Sequence, residues 1–210
     1  MSVIESNHRF TEQFVSESAE IGAARARSIE LGIDPVSPAT GAQIAVIAAA
    51  TNPLNMIEIG TGAGVSGLWL FEGAPEATLT TIDIEADHSA EARTAFSEAG
   101  ILAARSRLIT GRAIEVLPRM NERSYDLVLV DADVESVIDY VEHGLRLVRR
   151  GGTVLVTHAL WGGRVADPVQ RDEATSGFRF LLREIAKSEA VICSLSPVGD
   201  GLLQLTKRAD

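Results

Sequence analysis

From residue 55 onward, short apolar runs alternate with stretches in which apolar residues keep a helical spacing. Val137, Val141 and Leu145, for example, lie four residues apart, which predicts a helix with one apolar face. The apolar, β-branched runs predict seven strands, at 55–59, 78–83, 107–109, 127–131, 153–157, 191–196 and 202–206. This alternation is typical of a doubly wound, mostly parallel α/β sheet with helices on both faces.

The N-terminal part of the chain is predicted to be helical. Loosely spaced apolar residues predict one helix over residues 11–31. Ser37 is a typical N-cap residue, and Pro38 directly after it suits the first position of a helix. We therefore expect a second helix that begins there and ends before Pro53.

The C-terminal part is predicted to contain a hairpin. Gly199-Asp200-Gly201 separates the last two strands and is typical of a tight turn between antiparallel neighbours. The sheet should therefore hold one antiparallel strand at its edge, within this hairpin. We expect a single domain over 1–210, with an N-terminal helical cap segment at 1–36 and an α/β core at 37–210.

Composition narrows the possible partners. The chain has 210 residues, 46% of them hydrophobic, which is enough for one core, and its net charge of −10 argues against a nucleic-acid partner. One cysteine, Cys193, excludes a disulfide scaffold and fits a reducing compartment. The chain starts without a secretory signal pattern, and its longest apolar stretch, 44–50, is too short to span a bilayer. We therefore expect a cytoplasmic protein without a membrane partner.

The carboxyl ends of the predicted strands are where a ligand would bind in such a sheet. The first strand leads into a glycine-rich turn, Glu58-Ile59-Gly60-Thr61-Gly62-Ala63-Gly64-Val65-Ser66-Gly67. Glycines allow the backbone to approach a ligand closely, and the helix that follows offers free N–H groups. Residues 62–67 also satisfy the dinucleotide pattern G-x-G-x-x-G, so a nicotinamide cofactor and a plain tight turn both remain open.

Two acidic residues favour a different cofactor. A carboxylate at Glu58, just before the glycines, would repel a pyrophosphate but would suit an ammonium group. S-adenosylmethionine carries an ammonium and a sulfonium and has no phosphate. Asp83 ends the second strand, where an acid can accept hydrogen bonds from ribose hydroxyls in either cofactor. The fourth strand ends in Asp131-Ala132-Asp133, again at the mouth of the predicted cleft.

These segments resemble the class I S-adenosylmethionine-dependent O-methyltransferases of the catechol and caffeoyl-CoA type. The resemblance covers residues 36–168 and is carried by MIEIGTGAGVSGLWL, LTTIDIE, RLITGRAIEVLP, YDLVLVDAD, LVRRGGTVLV and LWGGRVADP. It implies a Rossmann-like fold and transfer of a methyl group to a hydroxyl of a small, for example aromatic, molecule. The resemblance to bacterial members of this family also implies a homodimer.

The resemblance also implies roles for individual residues. Glu58 would lie by the methionine portion of the cofactor, Ser66 by its carboxylate and Asp83 by its ribose. Asp131 would lie between cofactor and acceptor, and Trp161 near the acceptor. The full set implied for the cofactor site is Val36, Glu58, Gly60, Thr61, Gly62, Gly64, Ser66, Asp83, Ile84, Gly111, Arg112, Ala113 and Asp131.

The metal-binding part of the family pattern is missing. The family holds a divalent cation with an Asp at the position of Asp131 and an Asp-Asn pair at the end of the next strand, which here is Thr157-His158. The family's lysine after the Asp-Ala-Asp segment is Val134 here. Because Mg²⁺ prefers several oxygen ligands that include carboxylates, a divalent metal is doubtful and we predict no metal ligand.

His158 is the candidate to replace the metal. A neutral imidazole can take a proton from a hydroxyl near neutral pH, so we hypothesise that His158 is the general base, oriented by Asp131. His158 could instead only fill the lost metal site, or hold a zinc ion together with Asp131. Two functional alternatives also stay open: a catalytically degenerate S-adenosylmethionine-binding protein and an NAD(P)-dependent oxidoreductase. His88 and His143 are expected at the surface and Cys193 packed in its strand.

Overall fold

The computed structural model of the chain describes residues 2–208. Its strands are β1 Asn55–Ile59, β2 Thr78–Asp83, β3 Ser106–Thr110, β4 Tyr125–Val130, β5 Val148–Val156, β6 Val191–Ser196 and β7 Leu202–Lys207. Its α-helices are α1 Val3–Phe14, α2 Ala19–Glu30, α3 Pro38–Thr51, α4 Val65–Gly73, α5 Ala86–Glu98, α6 Ala113–Val116, α7 Val137–Leu147 and α8 Glu173–Lys187. Two short 3₁₀ turns, Leu117–Arg119 and Val134–Ser136, complete the elements.

All seven strands form one sheet in the order β3-β2-β1-β4-β5-β7-β6, which confirms the predicted fold class. Strands β1 to β5 pair in parallel, and β7 runs antiparallel to both of its neighbours, β5 and β6. The antiparallel strand therefore lies one position in from the edge, because the hairpin returns β7 into the space between β5 and β6. The strand order reverses at β1 and β4, which places the expected ligand crevice at their carboxyl ends.

Helices cover both faces of the sheet and bury two apolar clusters. Neighbouring residues of one strand point to opposite faces, so Met56 belongs to the cluster beneath α2, α3, α4 and α5, and Ile57 to the cluster beneath α7 and α8. Both side chains are fully buried. Strands β1, β2 and β4 are thus buried on both faces, and the polar residues at their ends are the groups available for chemistry.

The predicted N-terminal helix is two helices, so the prediction of one helix over residues 11–31 is wrong. Helix α1 ends at Phe14, and Ser18 caps α2 by accepting a hydrogen bond from the Ile21 amide at 3.2 Å. An N-cap residue must be non-helical, so Ser18 breaks what looked like a continuous helix. The helix predicted after Ser37 is confirmed, with Ser37 as its N-cap.

Cys193 is exposed, against the expectation that it packs in its strand. It lies in β6, where only Val191 is buried, because β6 forms the outer edge of the sheet and no helix covers most of it. Among residues 2–208, no helix is both long and apolar enough to cross a membrane.

Candidate active site

A cavity of about 480 Å³ opens at the carboxyl ends of β1, β2 and β4, where the strand order reverses. Most of the residues predicted to bind a cofactor line it: Val36, Gly60, Thr61, Gly62, Ser66, Asp83, Ile84, Gly111, Arg112, Ala113 and Asp131. The structure therefore brings together residues that are up to 95 positions apart in the chain, Val36 and Asp131. We call this space the cofactor cavity.

The glycine loop between β1 and α4 forms one wall. Gly60, Gly62 and Gly64 all have positive φ, at 93°, 50° and 94°. A side chain on Gly60 would collide with the backbone carbonyl of Asp131, so only glycine lets β1 and β4 approach this closely. Gly64 is the N-cap of α4 and packs on α5, behind the residues that line the cavity.

Asp83 ties the glycine loop to β2. Its Oδ2 accepts hydrogen bonds from the backbone amides of Thr61, at 3.0 Å, and Gly62, at 2.9 Å. Its Oδ1 accepts one from the Glu85 amide at 2.9 Å and lies 3.3 Å from His88 Nδ1. Oδ1 keeps further acceptor capacity beside the cavity, as a ribose-binding acid requires.

His88 lies on α5 with its side chain 25% exposed, and it lines the cofactor cavity, a position that the expected surface placement did not include. It occupies the first turn of α5, which begins at Ala86, and this turn faces Asp83. The sequence did contain a signal for this position, because His88 follows the strand-end acid Asp83 by five residues. The first helical turn after a parallel strand borders the crevice.

Glu58 is fully buried behind the glycine loop and does not line the cavity itself. Its Oε2 accepts a hydrogen bond from Thr81 Oγ1 at 2.6 Å. Its Oε1 has no hydrogen-bond partner among residues 2–208. Burial raises the pKa of Glu58 to about 8, and the hydrogen bond from Thr81 opposes that shift. A buried acid with an unsatisfied oxygen would be stabilised in its ionised form by a cation in the adjoining cavity.

The outer part of the cofactor cavity offers apolar and aromatic surface. Ile84 is exposed at the mouth, and Arg112 and Ala113 follow β3 on the other side. Tyr140, which the sequence did not single out, lines the same space and donates a hydrogen bond to Asp133 Oδ1 at 2.6 Å. Burial and Asp133 raise the pKa of Tyr140 to about 12. Tyr140 was missed because it lies in a helix whose regular spacing indicated only core packing.

A second cavity, of about 500 Å³, adjoins the first and shares the segment Asp34-Pro35-Val36 with it. We call it the acceptor cavity. Helix α1 contributes His8 and Glu12 to its lining, and the start of α3 contributes Ser37 and Thr40. The end of β5, the turn after it and the C-terminal hairpin contribute the rest: Thr157, His158, Gly162, Gly199 and Asp200. Trp161 lines neither cavity and packs on Phe178 at a ring distance of 5.9 Å, so its contact with an acceptor stays a prediction.

His158 lies between two carboxylates at the junction of the cavities. Its Nε2 is 3.5 Å from Asp131 Oδ1, and its Nδ1 is 3.5 Å from Asp200 Oδ2. Burial raises the pKa of Asp131, while the nearby His158 and the Thr157 hydroxyl oppose that shift. The side chains of His158 and Asp131 are 27% and 14% exposed, so a small molecule in the acceptor cavity can reach this group. The sequence indicated only that Asp200 lies in the turn of the C-terminal hairpin.

The residues at this junction do not fit a divalent metal ion. On the Asp131 side of the imidazole the donors would be one carboxylate, one imidazole and one hydroxyl, because Asp200 lies at the other ring nitrogen, Nδ1. Thr157 Oγ1 already donates to Asp131 Oδ1 at 2.5 Å. No group of three or more His, Cys, Asp or Glu side chains within residues 2–208 is arranged to hold a metal. Mg²⁺ prefers oxygen ligands with several carboxylates, which this set does not provide.

Comparison with known proteins agrees with this geometry. A family described as O-methyltransferase matches residues 12–209. A protein of Mycobacteroides abscessus whose name assigns it to the O-methyltransferases is 45% identical over 207 residues, covering 98% of this chain and 96% of the relative.

Solved structures share the whole fold. The crystal structure of TomG, an O-methyltransferase of tomaymycin synthesis from Streptomyces achromogenes in complex with S-adenosylmethionine, is 28% identical, with a TM-score of 0.84 and 100% of each chain covered. A crystal structure from Corynebacterium glutamicum reaches a TM-score of 0.90 at 29% identity, covering 100% of this chain and 99% of the other. The nicotinamide alternative is therefore set aside. This chain belongs to the O-methyltransferase family and is an S-adenosylmethionine-dependent O-methyltransferase.

Proposed function

We propose that this enzyme methylates a hydroxyl of a small molecule in the acceptor cavity, with His158 as the general base and without a resident metal ion. One observation carries the proposal: the His158 imidazole lies at the junction of the two cavities, 3.5 Å from Asp131, where the family places its metal. The resemblance to metal-dependent relatives identifies this position as the metal site of the family. The imidazole present here would remove the acceptor's proton in place of a metal ion.

The cofactor, when bound, supplies an electrophilic methyl group on a sulfonium. The protein must hold the acceptor oxygen in line with that methyl group and remove its proton. We assign the first task to the acceptor cavity and to Val36, which lines both spaces. We assign the second to His158, because it is the only imidazole that adjoins Asp131 among the described residues. The cofactor roles of Glu58 and Asp83 belong to the same proposal.

The charges of the acceptor cavity favour a neutral or cationic acceptor. Its carboxylates are Glu12, Asp34 and Asp200, and no lysine or arginine of residues 2–208 lines it. An anionic acceptor such as a coenzyme A thioester would meet like charges there, which disfavours binding. A small aromatic alcohol fits the size and charge of this space better. A catalytically degenerate protein has less support, because an imidazole that could act as the base lies beside two adjoining cavities.

Calorimetric titration of Mg²⁺ into the protein saturated with S-adenosylhomocysteine tests the metal-free mechanism. We expect no heat beyond dilution, because Asp131 is the only carboxylate of the family's metal set that remains and its Oδ1 already accepts from Thr157. Saturation with S-adenosylhomocysteine beforehand tests the cofactor site separately. One-site Mg²⁺ binding that Asp131→Asn abolishes would contradict the proposal.

We also propose a homodimer formed through α1. This helix has no buried residue, and its apolar side chains Val3, Ile4, Phe10 and Phe14 are all exposed. Val3, Phe10 and Phe14 share one side of α1, and the opposite side brings His8 and Glu12 to the acceptor cavity. A second copy on the apolar side would therefore hold the cap segment, residues 1–36, in place. A cytoplasmic location completes the proposal, supported by the single cysteine.

Light scattering after size exclusion tests the dimer. We expect a particle of two 22.4 kDa chains, and we expect Phe10→Glu to shift it toward one chain because it places a charge in the apolar contact. Leu102→Glu is the matched control, since Leu102 is similarly exposed, at 64%, but lies before β3. A wild-type protein that elutes as a single chain would exclude this interface.

A further inference from the structure

The loop that carries His158 is held by the C-terminal hairpin. The Ala159 amide donates to the Gly201 carbonyl at 3.0 Å, and the Leu160 amide donates to the Asp200 carbonyl at 2.9 Å. The carboxylate of Asp200 adds a third contact, because its Oδ1 accepts from the Gly162 amide at 2.7 Å. Asp200 thus binds two residues of the turn that follows His158, Leu160 and Gly162, one on each side of Trp161.

His158 itself has a backbone conformation that is uncommon for a side-chain-bearing residue. Its φ is 53°, in the left-handed region, and Trp161 in the same turn has a φ of 48°. Such a backbone conformation is retained where contacts with the surrounding structure constrain it, and it is found most often at functional sites. The contacts from the hairpin supply that constraint and direct the ring between Asp131 and Asp200.

The two carboxylates beside the ring are not equivalent. Asp131 Oδ1, the atom 3.5 Å from His158 Nε2, already accepts a hydrogen bond from the Thr157 hydroxyl. Asp200 Oδ2, the atom 3.5 Å from His158 Nδ1, accepts no hydrogen bond from any other described residue. The free acceptor is therefore the one that faces Nδ1.

We propose that Asp200 is a positioning residue that keeps the proton of neutral His158 on Nδ1 and leaves Nε2 free to accept. The inference rests on the proposed role of His158 as the base. In the reaction, the acceptor O–H bond breaks and its proton moves to Nε2, while the oxygen takes the methyl group and the sulfonium becomes a thioether. The resulting imidazolium, with protons on both nitrogens, is stabilised by the Asp200 carboxylate.

Asp200→Asn tests this directly. The amide oxygen can keep the contact with the Gly162 amide, but the NH₂ group now faces His158 Nδ1 and can only donate. We expect the variant to move the His158 proton to Nε2. Long-range ¹H–¹⁵N correlation spectra distinguish the two tautomers, recorded on protein saturated with S-adenosylhomocysteine at about pH 8.5, above the ordinary range of histidine ionisation. Comparison with His158→Gln identifies the signals of His158 among the four histidines.

Asp167→Asn is the matched control, because Asp167 is another turn carboxylate that accepts a backbone hydrogen bond, from Val169 at 3.0 Å, and it is not among the lining residues of either cavity. It should leave the His158 tautomer unchanged. A wild-type spectrum with the proton on Nε2 overturns the inference, even if Asp200→Asn does not fold. An unchanged tautomer in a folded Asp200→Asn protein overturns it as well.

The spectra test the tautomer of His158, and the methyl-transfer activity of His158→Gln tests the proposed function separately. If His158→Gln keeps full methyl transfer, the general base is wrong, whatever the tautomer. If the tautomer is as expected, Asp200→Asn should also lower kcat for phenol at least tenfold and leave the affinity for S-adenosylhomocysteine unchanged. A fall in cofactor affinity instead would indicate a structural role.

Discussion

Replacing His158 with glutamine is expected to lower kcat for phenol by about 10²- to 10⁴-fold, the usual contribution of a general base. Glutamine keeps a polar side chain of similar reach but cannot take a proton. The loss should depend on the acceptor: 4-nitrophenol is largely ionised at about pH 8.5 and does not need a base, so its methylation should fall far less. Release of S-adenosylhomocysteine measures both reactions.

His143→Gln is the control for this experiment, since His143 lies on α7 and is not among the residues that line either cavity. It should leave both rates unchanged. Equal losses for phenol and 4-nitrophenol in His158→Gln would show that the residue shapes the cavity and does not act as a base. Wild-type rates for phenol in that variant would remove His158 from the mechanism.

The affinity for S-adenosylhomocysteine is expected to rise about fiftyfold between pH 6 and pH 8 and to level off above that. Burial raises the pKa of Glu58 to about 8, so the free protein holds this carboxyl mostly protonated at neutral pH. The ammonium of the ligand favours the ionised form, so binding expels a proton. Because the free protein carries more protons than the complex below pH 8, raising the pH favours the complex.

Calorimetry in two buffers of different ionisation enthalpy measures the proton directly. Close to one proton should be released at pH 7, and none well above pH 8. In Glu58→Gln the release should disappear and the affinity should become independent of pH. A wild-type affinity that does not change between pH 6 and pH 8 would exclude Glu58 as the group that responds to the cofactor.

The cofactor cavity could be predicted in detail because parallel strands impose it. Once β1, β2 and β4 are recognised, their carboxyl ends must meet at one edge, and Gly60, Asp83 and Asp131 come together without further information. The break between the first two helices could not be predicted with the same ease. Apolar spacing continues across it, and the local cap at Ser18 decides the outcome.

The environment of His158 could not be predicted, because it depends on contacts across the sheet. Asp200 approaches His158 since β7 pairs with β5, and the turn before β7 therefore lies beside the end of β5. The spacing of 42 residues between the two carries no periodic signal. The same holds for Glu12, which reaches the acceptor cavity only because α1 packs on α3.

Because the hairpin returns β7 between β5 and β6, the two parts of the active site also differ in local stability. The cofactor cavity depends on β1, β2 and β4, which are buried within the parallel part of the sheet. The His158 turn depends on the hairpin, whose outer strand β6 is exposed along most of its length. Exposed edge elements open more readily than buried strands and can do so alone. Opening of the hairpin would leave a molecule that still binds S-adenosylmethionine but no longer holds His158, its proposed general base, in position.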